Sequence, residues 1–349
     1  MNEYDLIIIT NVPAFYKVNL FEEISKKIKI KVFFISKSSK IRNDDFYNYN
    51  MKFDHEFLSE ACYEERNALK VFFKVWREIR KIRYKRILFP GWEIKELFFI
   101  SLLTELKKNA VAIESSINES NVKGSVGLLK RIYLNRMSYA YPSGFLQNEI
   151  LKSMSFRGQV FYTHGVGIAN KVFPRIGICK DNLVHKLNYV YVGRLSEEKN
   201  LHLLVEVFNE LNLPLTIVGD GPQEKELKKI AKGNINFKGY IHNNKLRTLL
   251  NECDVFVLPS ISEPWGLVVE EALSAGLPVI VSDRVGCHKD LINNKNGIVF
   301  KSHDAKDLKF AISKMEEDYP KLRNGVFEYN VENNSAIQIN SYVDSLKNI

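Results

Sequence analysis

Short apolar runs alternate along this chain with segments of helical periodicity. Residues 5–10 and 30–35 are apolar runs with polar ends, a pattern that predicts strands buried on both faces. Between them, the apolar residues of segment 18–28 recur at helical spacing. Because strand, helix and strand follow in this order, we predict a parallel, doubly wound sheet, with further strands at 86–89 and 110–113.

The second half repeats this pattern, with strands predicted at 187–192, 215–218, 254–258 and 278–281. Segment 163–188, which contains glycines and a proline without clear periodicity, is interpreted as the connection. We therefore predict an α/β protein of two doubly wound, Rossmann-like domains at 1–165 and 166–328, facing each other across a cleft. Ligands of such sheets bind beyond the carboxyl ends of the strands.

The composition fits this fold and narrows the classes of partner. A length of 349 residues suggests two domains. The 50 basic and 41 acidic side chains leave a net charge of +9, which is compatible with phosphate ligands, nucleic acid or an anionic membrane. Four scattered cysteines without metal-ligand spacing favour a reducing compartment. The start lacks a signal-peptide pattern and no run reaches transmembrane length, so we expect a cytoplasmic protein.

A basic motif follows the strand predicted at 187–192. Gly193 permits a sharp turn, and Arg194 and Lys199 come after it, near the carboxyl end of the strand. Two cations at this place suit a diphosphate, because arginine binds two oxygens at once and lysine acts as a point charge. Surface ion pairs with the two glutamates of the same segment are the alternative.

Two further strand ends carry candidate binding residues. Gly219 follows the strand at 215–218 and could bring main chain close to a nucleotide, although an ordinary strand–helix turn explains it as well. Tyr240 and Ile241 follow a glycine at the end of another predicted strand, where they could contact the base.

A pair of glutamates flanks the start of a helix predicted at 266–275. Glu271 shares its helix face with apolar residues and therefore needs a polar partner, which a ribose diol could supply. Glu263 lies just before the helix, within reach of a sugar hydroxyl, and the N–H groups of Gly266 and Leu267 could meet a phosphate. A solvated Glu271 and a capping Glu263 are the structural alternative.

Segments 192–200, 219–223, 258–283 and 296–300 together resemble the family-4 (group 1) retaining glycosyltransferases of GT-B architecture. The resemblance implies that Arg194 and Lys199 bind the diphosphate of a UDP- or GDP-sugar, that Glu263 contacts the donor sugar and that Glu271 binds ribose. Gly286 would offer an amide to the phosphate or sugar. No Asp-x-Asp motif lies at a strand end, so we predict catalysis without a metal or another cofactor.

Segment 10–24 is similar to the first loop of a branch of this family involved in bacterial surface polysaccharides. Many members hold a glycine pair in this loop, whereas this chain has Asn11 there. The resemblance therefore assigns Asn11 and Lys17 to the binding of the acceptor. Glu114 follows the strand at 110–113, where relatives place a residue facing the reacting centre. It could orient or deprotonate the acceptor hydroxyl, with a strand-end cap as the alternative. As in relatives, 329–349 is expected to pack back on the N-terminal domain.

These observations predict a retaining transferase that moves a hexose-type sugar from a nucleoside diphosphate to a hydroxyl of a glycan or lipid-linked oligosaccharide. The implied setting is bacterial polysaccharide synthesis, such as that of lipopolysaccharide O-antigen or capsule. Three alternatives stay open. They are a GT-B sugar-nucleotide epimerase that needs no acceptor, a non-catalytic basic protein that binds membrane or nucleic acid, and a phosphorylase-like enzyme.

Segment 69–86 combines apolar residues at helical spacing with basic side chains. Such a helix could lie on anionic lipid and hold the protein at the inner face of the cytoplasmic membrane. A core-facing apolar stripe with a solvated basic face is the alternative. Nucleic acid is not expected as a partner, because no zinc-finger or helix-turn-helix pattern accompanies the charge.

Overall fold

The computed structural model describes residues 3–169 and 186–347. The chain divides into two compact units, one formed by residues 1–170 with 332–349 and the other by residues 171–331. Each unit is built on a parallel sheet, so the predicted pair of doubly wound α/β domains is confirmed. The segment predicted as the connection falls largely on residues 170–185, outside the described ranges.

Within the described ranges, the first unit holds a seven-stranded sheet in the order β3-β2-β1-β4-β5-β6-β7. Its strands are β1 (Glu3–Thr10), β2 (Ile30–Ser36), β3 (Asp54–Ser59), β4 (Arg83–Pro90), β5 (Asn109–Ile113), β6 (Tyr139–Pro142) and β7 (Gln159–Val160). Its first helices are α1 (Phe15–Ser25), α2 (Ala68–Ile79), α3 (Lys95–Leu103), α4 (Gly124–Leu134) and α5 (Phe145–Ser153). The strand order reverses between β1 and β4, which is where the loops of such a sheet separate and leave room for a ligand.

Strand β1 shows why the sheet is covered on both faces. Alternate residues of a strand point to opposite sides. Ile7 and Ile9 enter one core, which α2, α3, α4 and α5 complete, whereas Leu6 and Ile8 enter the other, which α1 completes. An uninterrupted apolar run is therefore what this position requires.

The second unit holds a six-stranded sheet in the order β10-β9-β8-β11-β12-β13. Its strands are β8 (Tyr189–Val192), β9 (Leu215–Val218), β10 (Ile235–Gly239), β11 (Val255–Leu258), β12 (Val279–Ser282) and β13 (Gly297–Phe300). Its helices are α6 (Leu201–Leu211), α7 (Glu224–Ile230), α8 (Asn243–Asn251), α9 (Leu267–Ser274), α10 (His288–Leu291) and α11 (Ala305–Val326). Here the order reverses between β8 and β11.

The last helix, α12 (Val331–Asp344), returns to the first unit. Tyr342 and Val343 are buried in the same core as α1. The neighbouring Ser345 accepts hydrogen bonds from the fully buried guanidinium of Arg86, at 2.7 Å to its hydroxyl and 3.0 Å to its carbonyl. Tyr141 accepts a third bond from Arg86 at 2.7 Å. These bonds tie the end of the chain to the middle of the first sheet, because a buried charge requires such partners.

The prediction that the basic segment 69–86 forms one helix is wrong. Helix α2 ends at Ile79, and strand β4 begins at Arg83. Val71, Val75 and Ile79 of α2 are buried in the core. The core-facing apolar stripe, which was the alternative to a lipid-binding helix, is therefore present. Arg86 was expected to add to a basic surface, but it is buried. Within the described ranges, no helix is long and apolar enough to cross a membrane.

Candidate functional site

The candidate residues of the second unit lie at the carboxyl end of its sheet. They lie in the loops after β8 (Arg194, Lys199), β9 (Gly219), β10 (Tyr240, Ile241), β11 (Glu263, Gly266) and β12 (Gly286), and at the start of α9 (Leu267). Because β8 and β11 are neighbours at the point where the strand order reverses, their two loops meet at the usual ligand position of such a sheet.

Lys199 and Glu263 form the contact between these two loops. The Lys199 ammonium donates a short hydrogen bond to the Glu263 carboxylate, and both side chains are largely buried. The main chain supports the pair, because the Ile261 N–H donates to the Glu198 carbonyl at 2.9 Å. Glu263, the predicted sugar contact, and Lys199, a predicted phosphate contact, are thus adjacent. The sequence alone did not show this.

Arg194 stands on a fixed main chain with its side chain exposed. The buried hydroxyl of Tyr191 donates to the Arg194 carbonyl at 2.9 Å. Burial raises the pKa of this tyrosine, and the negative charges of Glu263 and Glu198 raise it further, so the hydroxyl stays protonated as a donor. Gly193 has a φ of 155°, and a Cβ there would lie 2.7 Å from the Tyr191 oxygen. A larger residue would therefore displace the loop.

Helix α9 points its first turn at the same place. Gly266, in the left-handed region at φ 99°, precedes the first helical residue, Leu267. The loop after β12 is joined to the segment before the helix by two main-chain bonds. Gly286 N–H donates to the Glu263 carbonyl at 2.8 Å, and Cys287 N–H donates to the Trp265 carbonyl at 2.9 Å.

Two consecutive glutamates of α9 have different surroundings. Although part of Glu271 is exposed, the protein around its carboxyl disfavours the charged form and raises its pKa to about 7. Among the described residues, this carboxyl has no hydrogen-bond or ion-pair partner. Glu270 is buried and accepts a 2.5 Å hydrogen bond from the Trp265 indole. The sequence singled out Glu271 and missed the role of Glu270, because helical spacing does not show which side of α9 faces the core.

Tyr240 and Ile241 lie at the end of β10, which is two strands away from β8 in the sheet. The Tyr240 ring is partly exposed and makes an edge contact with His242, with ring centroids 5.4 Å apart. The structure therefore places these two residues on the same sheet edge as the Lys199–Glu263 pair, further along it.

A cavity of about 370 Å³ lies at the corresponding edge of the first sheet. The loops after β1, β4 and β5 line it, and all three residues predicted there take part. These are Asn11, Lys17 and Glu114. The Lys17 ammonium makes a short ion pair with the Glu114 carboxylate across the cavity wall. The Asn11 side-chain oxygen is buried without a partner among the described residues.

Several residues of this cavity were missed from the sequence. Tyr16 and Trp92 contribute to its aromatic walls, and Glu93 adds a carboxylate beside Glu114. Although Glu93 keeps an exposed surface, the surrounding protein raises its pKa, and the charge of Glu114 raises it further. A Trp-Glu pair directly after a predicted strand was the available signal.

The described residues contain no group of three or more His, Cys, Asp or Glu side chains that could hold a metal ion. Catalysis without a metal stays a prediction.

Two doubly wound units, one with a basic and glutamate-bearing sheet edge, place the chain in the class of α/β proteins whose ligands bind beyond the carboxyl ends of the strands. Residues 182–331, which make up most of the second unit, match the family model described as glycosyl transferases group 1. TuaC of Bacillus subtilis (strain 168), named as a teichuronic acid biosynthesis glycosyltransferase, is 37% identical over 218 residues. These are 59% of this chain and 54% of that protein.

Two solved structures share the fold over almost the whole chain. A sucrose-phosphate synthase from Thermosynechococcus elongatus aligns with a TM-score of 0.74 at 18% identity, covering 99% of this chain and 100% of that one. Anabaena Alr3699/HepE, solved in complex with UDP, aligns at 0.72 and 15% identity with the same coverage. The predicted GT-B architecture is thus confirmed. The chain spans about half the length, or less, of the curated relatives it matches.

Proposed function

We propose that the protein is a retaining glycosyltransferase that transfers a hexose-type sugar from a nucleoside diphosphate to a hydroxyl of a glycan or lipid-linked oligosaccharide. One observation carries the proposal. In the unit that matches the glycosyl transferases group 1 model, the loops after β8 and β11 bring a lysine and a glutamate into contact at the reversal point of the sheet. Retention is implied by the family resemblance.

The diphosphate gains negative charge as it leaves the sugar, and the second unit offers positive charge to receive it. Arg194 and Lys199 supply full charges, and the free N–H groups at the start of α9 supply the positive end of a helix dipole. These groups act from fixed positions, so they need little reorganisation during the reaction. For this reason we propose that no metal ion is needed.

The glutamates would hold the two sugars of the donor. Glu263 accepts a bond from Lys199, so its carboxylate is oriented and keeps a free lone pair for a donor-sugar hydroxyl. Glu271 has no partner in the described structure and would accept the ribose hydroxyls. Gly286 lies beside Glu263 through its main-chain bond, where it would contact the phosphate or sugar. Gly219, Tyr240 and Ile241 would line the nucleoside end.

The acceptor would occupy the cavity of the first unit. Its volume lies within the range of small-ligand pockets, and it combines aromatic walls with a few polar groups. Glu114 would orient or deprotonate the acceptor hydroxyl, with Lys17 fixing the carboxylate and Asn11 adding a hydrogen bond. A role in bacterial polysaccharide synthesis is supported by the similarity to TuaC, and UDP is the first nucleotide to test because Alr3699/HepE was solved with it.

A thermal-shift screen of UDP, GDP, ADP, CMP and their common sugars tests the donor site. A ligand at a hundred times its dissociation constant should add about 2.7 kcal/mol to the free energy of unfolding. We expect one nucleotide to stabilise the wild type and the control Arg157→Ala, whose exposed arginine lies in the first unit, but not Arg194→Ala. Absence of a shift with every nucleotide would contradict a donor site.

Product analysis tests the reaction. With the identified nucleotide-sugar and a panel of glycans, we expect a new glycosidic bond whose anomeric configuration, read by NMR, equals that of the donor. Inverted product would refute retention alone. Epimerised nucleotide-sugar formed without any acceptor would favour the epimerase instead.

A further inference from the structure

The outer surface of α3 and α4 in the first unit is apolar. Seven large apolar side chains of these two helices are between 40% and 59% exposed. We call them the α3–α4 surface: Phe99, Leu102, Leu103, Val126, Leu128, Leu129 and Ile132. Folded proteins rarely leave large apolar patches in water, and such patches usually mark an interaction site.

The exposure follows from how the two helices pack. Phe98 of α3 stacks on Tyr133 of α4, with ring centroids 5.9 Å apart, so the helices are neighbours. Helix α4 buries only Gly127, Tyr133 and Leu134, and its other apolar residues point away from the core. A helix that is apolar on both its inner and outer sides normally has a second partner besides its own core.

The charges around this surface are basic. Helix α4 has no acidic residue and contains Arg131, which is exposed, and Lys130, which is partly buried and lies near Glu93. The single acid of α3, Glu96, is buried and paired with Arg66 at 2.7 Å, so it contributes little negative charge to the outer face. Exposed apolar side chains interleaved with cations complement a bilayer that carries anionic headgroups.

We infer that the α3–α4 surface binds the surface of an anionic lipid bilayer. The apolar side chains enter the boundary between headgroups and acyl chains, and the cations of α4 attract the headgroups. This surface is different from the segment at 69–86, whose helix turns Val71, Val75 and Ile79 into the core. Leu69 and Phe73 of α2 are also exposed, and they supply the comparison that the test needs.

The α3–α4 surface lies close to the cavity of the first unit. The Lys130 ammonium lies 4.5 Å from the centroid of the Trp92 ring, and Trp92 lines the cavity of the first unit. A bilayer held by α4 therefore lies beside that cavity. If the proposed transfer holds, a lipid-carried acceptor reaches the cavity without leaving the membrane, whereas the lipid binding itself does not depend on the reaction.

Flotation of the full chain with phosphatidylcholine vesicles, with and without phosphatidylglycerol, tests the inference. We expect the wild type to float with the anionic vesicles at low salt and less so at high salt, since salt screens the attraction. Leu128→Glu combined with Leu129→Glu should lower the lipid-bound fraction at least about tenfold, because two leucines no longer enter the lipid. Lys130→Ala combined with Arg131→Ala should reduce binding to anionic vesicles only.

Two controls keep the outcome decisive. Phe310→Glu changes an aromatic residue of α11 in the second unit that is even more exposed, and this variant should float as the wild type does. Leu69→Glu combined with Phe73→Glu should cause a smaller loss than the α4 variant. All variants should retain the wild-type melting temperature and nucleotide binding, so a lipid defect is distinguishable from misfolding and from a failure of the donor site.

Three results would overturn the inference. They are absence of wild-type flotation at low salt, a loss of binding confined to the α2 variant, and vesicle-independent self-association that the α4 variant abolishes. The last result would assign the α3–α4 surface to a second copy of the chain.

Discussion

Glu271 carries the most informative titration of the molecule. Its pKa is raised from 4.5 to about 7, so the folded state binds its proton more tightly than the unfolded state does. Below pH 4.5, the pKa in the unfolded state, the carboxyl is largely neutral in both states and has little effect on the free energy of unfolding. Between pH 4.5 and 7 the cost of charging it in the folded state grows, and above pH 7 the cost is constant.

Replacing this carboxyl by an amide should therefore stabilise the unliganded protein at high pH only. We expect Glu271→Gln to raise the free energy of unfolding by up to about 3 kcal/mol at pH 8 and to leave it unchanged at pH 4.5. Urea denaturation at both pH values measures this. Glu206→Gln, at an exposed position of α6, is the control and should show no such difference. A gain at low pH instead would contradict the sign.

Glu114 allows a separate test of the acceptor side. Glu114→Gln keeps the shape of the side chain but removes its charge and its ion pair with Lys17. If the carboxylate orients or deprotonates the acceptor hydroxyl, kcat should fall by about a hundredfold or more. The donor dissociation constant, measured by calorimetry, should not change, because the donor residues lie in the second unit. Glu105→Gln, at an exposed site of the first unit, should leave both unchanged.

At the scale of elements, the loops after β8 and β9 are held together by main chain. Gly219 has a φ of 129°, and a Cβ there would lie 1.9 Å from the Gly193 carbonyl oxygen. The Leu195 N–H also donates to the Asp220 carbonyl at 2.7 Å. Any side chain at position 219 would therefore push the loop that carries Arg194.

We expect Gly219→Ala to lower the free energy of unfolding by at least about 2 kcal/mol, because backbone strain and a backbone clash add up. It should also weaken nucleotide binding. Gly233→Ala is the matched control, since a Cβ there meets nothing within 4 Å. This control should be neutral or slightly stabilising through the unfolded state. Equal effects of the two variants in thermal melts would show that the close approach of the loops is not needed.

The helices and strands were largely predictable because their signals are local. The apolar runs of β1 and β8 and the turn at Gly193 can be read from neighbouring residues. The end of α2 could not be, since Ile82 continues the helical spacing of the apolar residues beyond Ile79. The chain enters a strand at Arg83 instead, where Arg86 finds buried partners in Tyr141 and Ser345, both distant in sequence.

In the whole molecule, too, some features follow from local sequence and others depend on contacts between distant residues. Strand order alone predicts that loops after neighbouring strands meet, and the Lys199–Glu263 contact follows from the pairing of β8 with β11. The bond between Trp265 and Glu270 and the aromatic walls around Tyr16 depend on how helices and loops settle in three dimensions. No periodicity along the chain encodes them.

The division into two units gives a prediction for the whole chain. Each donor candidate lies in the second unit and each acceptor candidate in the first. Hydrogen–deuterium exchange with saturating nucleotide should therefore protect amides in 193–200, 263–271 and 284–288. Amides that exchange only from the unliganded state should slow by about a hundredfold at a hundred times the dissociation constant. Lys199→Ala should reduce this protection. Protection that appeared first in 10–17 and 90–94, around the cavity of the first unit, would place the nucleotide there and refute the assignment of the two sites.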